Sequence, residues 1–167
     1  MKVSQNVRDL LNRQVGTEFE AMIAYFALAT RFHLDSLPEL HRHFSRLAER
    51  KKENAVRYLD FIAGTEGTPK IPAIAEVELH FDSTEGSVKF ALDKEVQVIE
   101  QLSKTAHKAK EESDQATWKL LEEAIKLQDE EICLMRELLD CVRTAGEDNL
   151  LLVEDFLIRK TSVTVEV

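Results

Sequence analysis

The sequence predicts an all-α protein, built as a four-helix bundle with one long crossover connection and a short fifth helix at its C-terminal end. Four long stretches repeat apolar residues at helical spacing, and the 167 residues include only 5 Gly and 3 Pro. The connection between the second and third stretches has about 20 residues, whereas those within the first and second pairs are short. The whole chain, 1–167, is expected to form a single domain.

Helix boundaries follow from capping residues and from Gly and Pro. Ser36 is predicted as the N-cap of the second helix, with Pro38 in its first turn, and Gly146 as the C-terminal cap of the fourth. The final stretch "TSVTVEV" is assigned to no element. The five predicted helices are α1 over about 4–33, α2 over 37–63, α3 over 84–111, α4 over 114–144 and α5 over 147–159.

The connection lengths predict the topology. Short turns make α1–α2 and α3–α4 antiparallel hairpins. The connection between α2 and α3 can extend about 65 Å, which exceeds the roughly 40 Å length of such a helix. We therefore expect it to travel the length of the bundle, so that α3 runs parallel to α2.

Composition and charge exclude several classes of function. The net charge of −9 would repel duplex nucleic acid. No apolar run is long enough for a signal peptide or a membrane span, so no membrane partner is expected. Cys133 and Cys141 lie about 12 Å apart along one predicted helix, too far for a disulfide, which favours reduced cysteines and a cytoplasmic protein.

The five histidines are predicted to be solvated surface residues. His41 and His43 are two positions apart near the start of α2 and therefore face different sides. His33, His80 and His107 are expected to stand alone in helix ends or loops.

Polar residues interrupt the apolar stripe of every long helix. Glu18, for example, shares one face of α1 with Leu11 and Met22. The spacing repeats: 33 residues separate Glu18 from Lys51 and also Glu95 from Gln128, and a further polar residue follows three positions later in each case. We call the resulting six residues the polar cluster: Glu18, Lys51, Asn54, Glu95, Gln128 and Glu131.

A repeat of this kind places the polar cluster at one level of the bundle core. A di-metal carboxylate site needs that geometry, with a Glu from each of two helices and a Glu-x-x-His from each of the other two. Buried carboxylates are costly without a compensating cation, so the coincidence favours a present or ancestral metal site. For any single Glu, the alternative is a boundary residue whose carboxylate reaches solvent.

Several segments carry a resemblance to a known family: "EFEAMIAYFALA", "HFSRLAERKKENA", "ALDKE", "LQDEEICLM" and "AGEDNLLLVEDFL". In this order and spacing they resemble the non-haem bacterial ferritins over nearly the whole chain. The resemblance implies a hollow symmetric shell, commonly of 24 subunits, which oxidises Fe(II) and stores ferric mineral. It also implies that Glu18, Glu95, Gln128 and Glu131 bind iron in a ferroxidase centre, with Tyr25 close by.

Helix α2 departs from the family pattern. It carries Lys51 and Asn54 where the family supplies Glu and His. Glu49 and Glu53 lie about 200° around the helix from Lys51 and cannot replace the missing ligands. A lysine ammonium has donors only and cannot ligate a metal. The haem-binding methionine of bacterioferritins corresponds to Lys52, so no haem is expected.

Three functions remain open from the sequence. The first is a cage subunit that binds and stores iron through a residual site of Glu18, Glu95, Gln128 and Glu131, with its ferroxidase centre partly lost. The second is a catalytically inactive shell subunit, empty or co-assembled with an active ferritin, in which Lys51 forms a salt-bridge network with the carboxylates. The third is a helical bundle that forms no cage and acts as a binding or scaffold module.

Overall fold

The computed structural model describes residues 3–77 and 81–164, with side chains to residue 162. It confirms the all-α bundle with one long crossover and a short fifth helix. No helix in the described part of the chain has the length and apolar character needed to cross a membrane. The helices are α1 (Gln5–Leu34), α2 (Pro38–Gly64), α3 (Thr84–Glu111), α4 (Gln115–Ala145) and α5 (Leu151–Thr164), with a 3-10 turn at Glu147–Asn149.

Helices α1 to α4 begin and end within one residue of their predicted positions, but α5 does not. The predicted start at 147 falls in the 3-10 turn, and α5 itself runs on to Thr164. The carboxylate of Glu147 accepts a hydrogen bond from the backbone N–H of Glu85 at the start of α3. This contact holds the turn against α3 and delays the start of α5.

Contacts between α1 and α3 establish the direction of the crossover. Thr17 on α1 contacts Gln101, whereas Tyr25, two turns later on α1, contacts Ala91. The two helices are therefore antiparallel, and α3 runs parallel to α2, as predicted from the length of the connection.

The apolar core is divided into two clusters along the bundle axis. One contains Tyr25, Phe32 and Phe44 near the α1–α2 turn, and the other contains Leu11 and Tyr58 towards the opposite end. The residues of the polar cluster fall in the sequence gap between the two clusters on each of the four long helices.

The cap of α2 differs from the prediction. Ser36 has a left-handed backbone (φ 59°), and the N-cap position is Leu37, whose side chain makes no capping bond. The prediction of Ser36 as N-cap is therefore wrong, because an N-cap residue needs an extended backbone to reach the helix amides. Those amides instead bond to Glu154 of α5: the N–H of Glu39 at 2.7 Å and that of Leu40 at 2.9 Å. The Gly146 cap of α4 has the expected positive φ of 71°.

Two expectations for the histidines are wrong. His43 is buried, with 6% of its surface exposed, and burial followed by repulsion from Arg46 and Arg50 lowers its pKa to about 3. His33 does not stand alone, because its ring packs against that of His41. His107 is exposed as expected, but it does not stand alone, since its Nε2 lies 3.1 Å from Glu111 Oε1 one turn later. His80 lies outside the described residues.

The crossover lies directly on α1 at Gly16. Pro72 packs where a side chain at this position would project, and the N–H of Lys70 donates to the side chain of Asn12 at 2.7 Å. A Cβ on residue 16 would overlap the Pro72 ring, and a proline ring cannot rotate away. Glycine is therefore required here for the close approach of the two segments.

We expect Gly16→Ala to lower the free energy of unfolding by about 1–2 kcal/mol, because the overlap outweighs the gain in helix propensity. Limited proteolysis of the crossover should be faster in the variant. Gly64→Ala is the matched control, since within the described part of the chain a Cβ at that position meets no atom within 4 Å outside its own helix turn. Equal stability of the two variants would show that the crossover shifts without cost.

Candidate functional site

The four long helices bring all six residues of the polar cluster together. Lys51 lies at its centre with 2% of its side chain exposed. Its ammonium donates to Glu95 Oε2 at 2.7 Å and to Gln128 Oε1 at 3.0 Å. Glu18 Oε2 lies 4.0 Å from the same nitrogen. The ammonium is therefore surrounded by oxygens from α1, α3 and α4.

Glu95 is the most heavily bonded carboxylate of the cluster. Besides Lys51, the Tyr25 hydroxyl donates to Oε1 and the Gln128 amide donates to Oε2. The Gln128 amide also lies 3.1 Å from the backbone carbonyl of Glu95. Burial, followed by the charge of Glu95, raises the pKa of Tyr25 well above its ordinary value, so Tyr25 remains a hydrogen-bond donor.

Glu18 is fully buried and has weaker partners. It accepts from Gln14 Nε2 at 2.8 Å, one turn earlier on α1, and from Asn54 Nδ2 at 3.5 Å. Burial raises the pKa of Glu18; the nearby charge of Lys51 and the bond from Gln14 oppose this shift, and Glu95 adds to it. Burial thus allows Glu18 to hold a proton above its ordinary pH range.

The raised pKa of Glu18 predicts a specific pH dependence. The stability it contributes is complete below the ordinary pKa of 4.5 and is lost as pH rises through the higher folded-state value. Glu18→Gln removes this ionisation, so the variant should lose less unfolding free energy than the wild type as the pH rises above 4.5. Urea denaturation across this range measures the difference.

The exposed Glu100 supplies the control, because Glu100→Gln removes one carboxylate from the surface and leaves the buried polar cluster intact. Parallel wild-type and Glu18→Gln stability profiles over the same range would contradict the assignment of the proton to Glu18.

Glu131 occupies the side of the cluster nearest solvent, and Arg50 closes this side. The Arg50 guanidinium forms an ion pair with Glu131 Oε1. Glu131 Oε2 is buried and has no hydrogen-bond partner among the described residues. A cavity of about 90 Å³ between α2 and α4 is bordered by both residues and by Lys51.

The sequence reasoning missed Arg50 and Gln14. Gln14 was recognisable, since it lies four residues before Glu18 on the same face of α1. Arg50 carried a weaker signal, because it follows an exposed residue and its side chain is 54% exposed. Only the approach of α2 to α4 shows that it reaches Glu131.

Arg50 changes the charge balance of the cluster. Glu18, Glu95 and Glu131 carry three negative charges when ionised, and Lys51 and Arg50 carry two positive charges. One proton would make the group neutral, and the raised pKa of Glu18 favours that carboxylate as its site. Lysine, arginine and a proton can therefore supply the positive charge that buried carboxylates require.

The residues as arranged do not fit a pair of metal ions. The Lys51 nitrogen lies among the oxygens that a shared cation would bind, and an ammonium has no lone pair to offer a metal. Arg50 engages one oxygen of Glu131. Over residues 3–77 and 81–164, no group of three His, Cys, Asp or Glu side chains is arranged to hold a metal ion.

The protein is a four-helix bundle whose core holds a polar site formed by side chains from facing helices. Residues 8–145 match the family model described as a ferritin-like domain. The chain belongs to the ferritin family.

Individual relatives agree with this assignment. Ferritin BfrB of Mycolicibacterium smegmatis is 31% identical over 153 residues, covering 92% of this chain and 84% of that protein. Bacterioferritin BfrB of Mycobacterium tuberculosis is 29% identical with the same coverage. An open-pore ferritin of Archaeoglobus fulgidus shares the fold, with a TM-score of 0.88 at 24% identity over 93% of this chain and 98% of the other.

Proposed function

We propose that this chain is the subunit of a ferritin-type shell that stores iron in the cytoplasm, and that a charge network centred on Lys51 replaces the di-iron centre of the family. The ferritin and bacterioferritin names of its relatives support iron as the cargo. The observation that carries the proposal is the buried Lys51 ammonium, 2.7 Å from Glu95 and 3.0 Å from Gln128.

Charge and hydrogen bonding support the same conclusion. The Lys51 ammonium donates hydrogen bonds to the carboxylate and amide oxygens that would otherwise be free to ligate iron. Arg50 does the same at Glu131. To bind two irons, the cluster would have to expel or deprotonate Lys51 and break the ion pair of Arg50, at a cost in buried charge. Oxidation of iron in such a shell must therefore occur elsewhere than in this bundle core.

Co-assembly offers one source of that oxidation. In a mixed shell, an active ferritin subunit would oxidise Fe(II), and this chain would contribute wall and interior surface. Native mass spectrometry tests the shell itself, for which we expect a multiple of the 19.1 kDa chain, with 24 copies as the expected number. A protein that remains a monomer or dimer at micromolar concentration would instead favour a bundle that forms no cage.

Aerobic Fe(II) oxidation tests the replaced centre. We expect the wild type to show no fast phase with two irons per chain. The double variant Lys51→Glu, Asn54→His restores the family ligands on α2 and should gain at least about tenfold in initial rate, equal to about 1.4 kcal/mol of barrier. Adding Arg50→Gln should raise the rate further by freeing Glu131.

Lys52→Glu is the matched control, because Lys52 is exposed. Among the described residues its ammonium pairs only with Glu49, which lies outside the polar cluster. It should leave the rate of iron oxidation unchanged. Fast and stoichiometric diferric formation by the wild type would refute the proposal.

A further inference from the structure

Two histidines face each other across the α1–α2 turn, at the end of the bundle away from the Leu11 cluster. His33 lies in the last turn of α1 and His41 in the first turns of α2. Their ring centroids are 5.1 Å apart, with the ring planes inclined at 49°. Neither residue belongs to the polar cluster, and the proposed storage function makes no use of them.

The hydrogen bonding of His41 determines which of its nitrogens is available. Nδ1 lies 2.9 Å from the backbone carbonyl of Ala29. Since a carbonyl can only accept, the neutral ring carries its proton on Nδ1 and its lone pair on Nε2. A histidine that binds a metal is commonly held in this way, with its other ring nitrogen donating to a backbone carbonyl. His41 is thus oriented as a ligand.

The separation of the two rings suits one shared ion. With metal–nitrogen distances of about 2.0–2.1 Å and a tetrahedral angle, two imidazole centroids on one ion lie about 5 Å apart. His33 and His41 have this centroid separation, and the His33 ring is exposed and free to turn a nitrogen towards a shared ion. His33 is exposed, and His41 borders an open groove of about 570 Å³ through which solvent and ions have access.

Two of the arginines beside the turn have acidic partners. Arg31 pairs with Asp35, and Arg42 pairs with Glu39, so these two arginines are balanced locally. Arg46 lies further along the groove, where its guanidinium donates to Thr161.

We propose that His33 and His41 form a two-histidine site for a divalent transition-metal ion, with water completing the coordination. Imidazole nitrogen prefers Cu(II), Ni(II) and Zn(II) over the hard cations Mg(II) and Ca(II). A bound ion links the end of α1 to the start of α2 across the left-handed backbone of Ser36. It therefore stabilises the folded state by mass action.

Cu(II) is the probe of choice, because its electron paramagnetic resonance spectrum reports the number of coordinated nitrogens. All proteins carry Cys133→Ser, which removes an exposed competing thiol. We expect one Cu(II) per chain with two imidazole nitrogens, and at least a tenfold loss of affinity in His33→Gln and in His41→Gln. Calorimetric titration with Ni(II) should likewise show weaker binding by each of the two histidine variants than by the parent protein.

His107→Gln is the matched control, since His107 is an exposed histidine of α3 outside this turn. It should leave both spectrum and affinity unchanged. Zn(II) should raise the melting temperature of the parent protein but not that of His33→Gln. Coordination by oxygen alone or by one nitrogen, or affinities unaffected by both substitutions, would overturn the proposal. These readouts do not depend on iron oxidation or storage.

Discussion

Replacing Lys51 by methionine is expected to lower the free energy of unfolding by about 3–5 kcal/mol, the usual cost of removing one partner of a buried ion pair. Methionine keeps the apolar stem of the side chain and removes the charge. The fully buried Glu95 then loses its cation, and Gln128 loses a hydrogen-bond donor. Chemical denaturation at one fixed protein concentration measures the loss, because assembly also contributes to stability.

Lys52 provides the control for Lys51. Its side chain is 49% exposed and pairs with Glu49 on the surface, so Lys52→Met should cost less than about 1 kcal/mol. Adding Glu95→Gln to Lys51→Met should recover part of the lost stability, since the uncompensated charge is then absent. If Lys51→Met were no more destabilising than Lys52→Met, Lys51 would not be the counter-ion of the cluster.

Replacing Glu154 by alanine should produce the second-largest effect, a loss of about 2–3 kcal/mol. The Glu154 carboxylate accepts two backbone N–H groups at the start of α2, and no side chain of the α1–α2 turn caps that end. Its removal takes the acceptor from the buried Leu40 amide and the half-buried Glu39 amide, and it breaks a link between α5 and α2. Hydrogen exchange should accelerate in α5 and in the first turn of α2.

The neighbouring Asp155 tests whether the effect belongs to the cap. Its side chain is 65% exposed and, among the residues that the structure describes, pairs only with Arg159, one turn later. Asp155→Ala should therefore change neither the stability nor the hydrogen exchange of α2. Unchanged exchange at the start of α2 in Glu154→Ala would mean that water replaces the carboxylate without cost.

Much of the architecture could be predicted from the sequence because it depends on local periodicity. Helix spacing, capping residues and connection lengths were enough for the four long helices and the direction of the crossover. The repeated spacing from Glu18 to Lys51 and from Glu95 to Gln128 was enough to expect these side chains at one level of the core. The prediction failed at the cap of α2 and at the start of α5, because contacts with segments distant in sequence determine the structure at both places.

The sequence by itself determined the bundle, its crossover and the presence of a lysine among buried carboxylates, since each follows from the order of residues along helices. Only the tertiary structure decided how that charge is balanced. It brought Arg50 to Glu131 and the Lys51 ammonium to Glu95, and it placed Glu154 at a helix end remote in sequence. Long side chains reach several ångströms from their own helix, so their partners depend on which helices pack beside it.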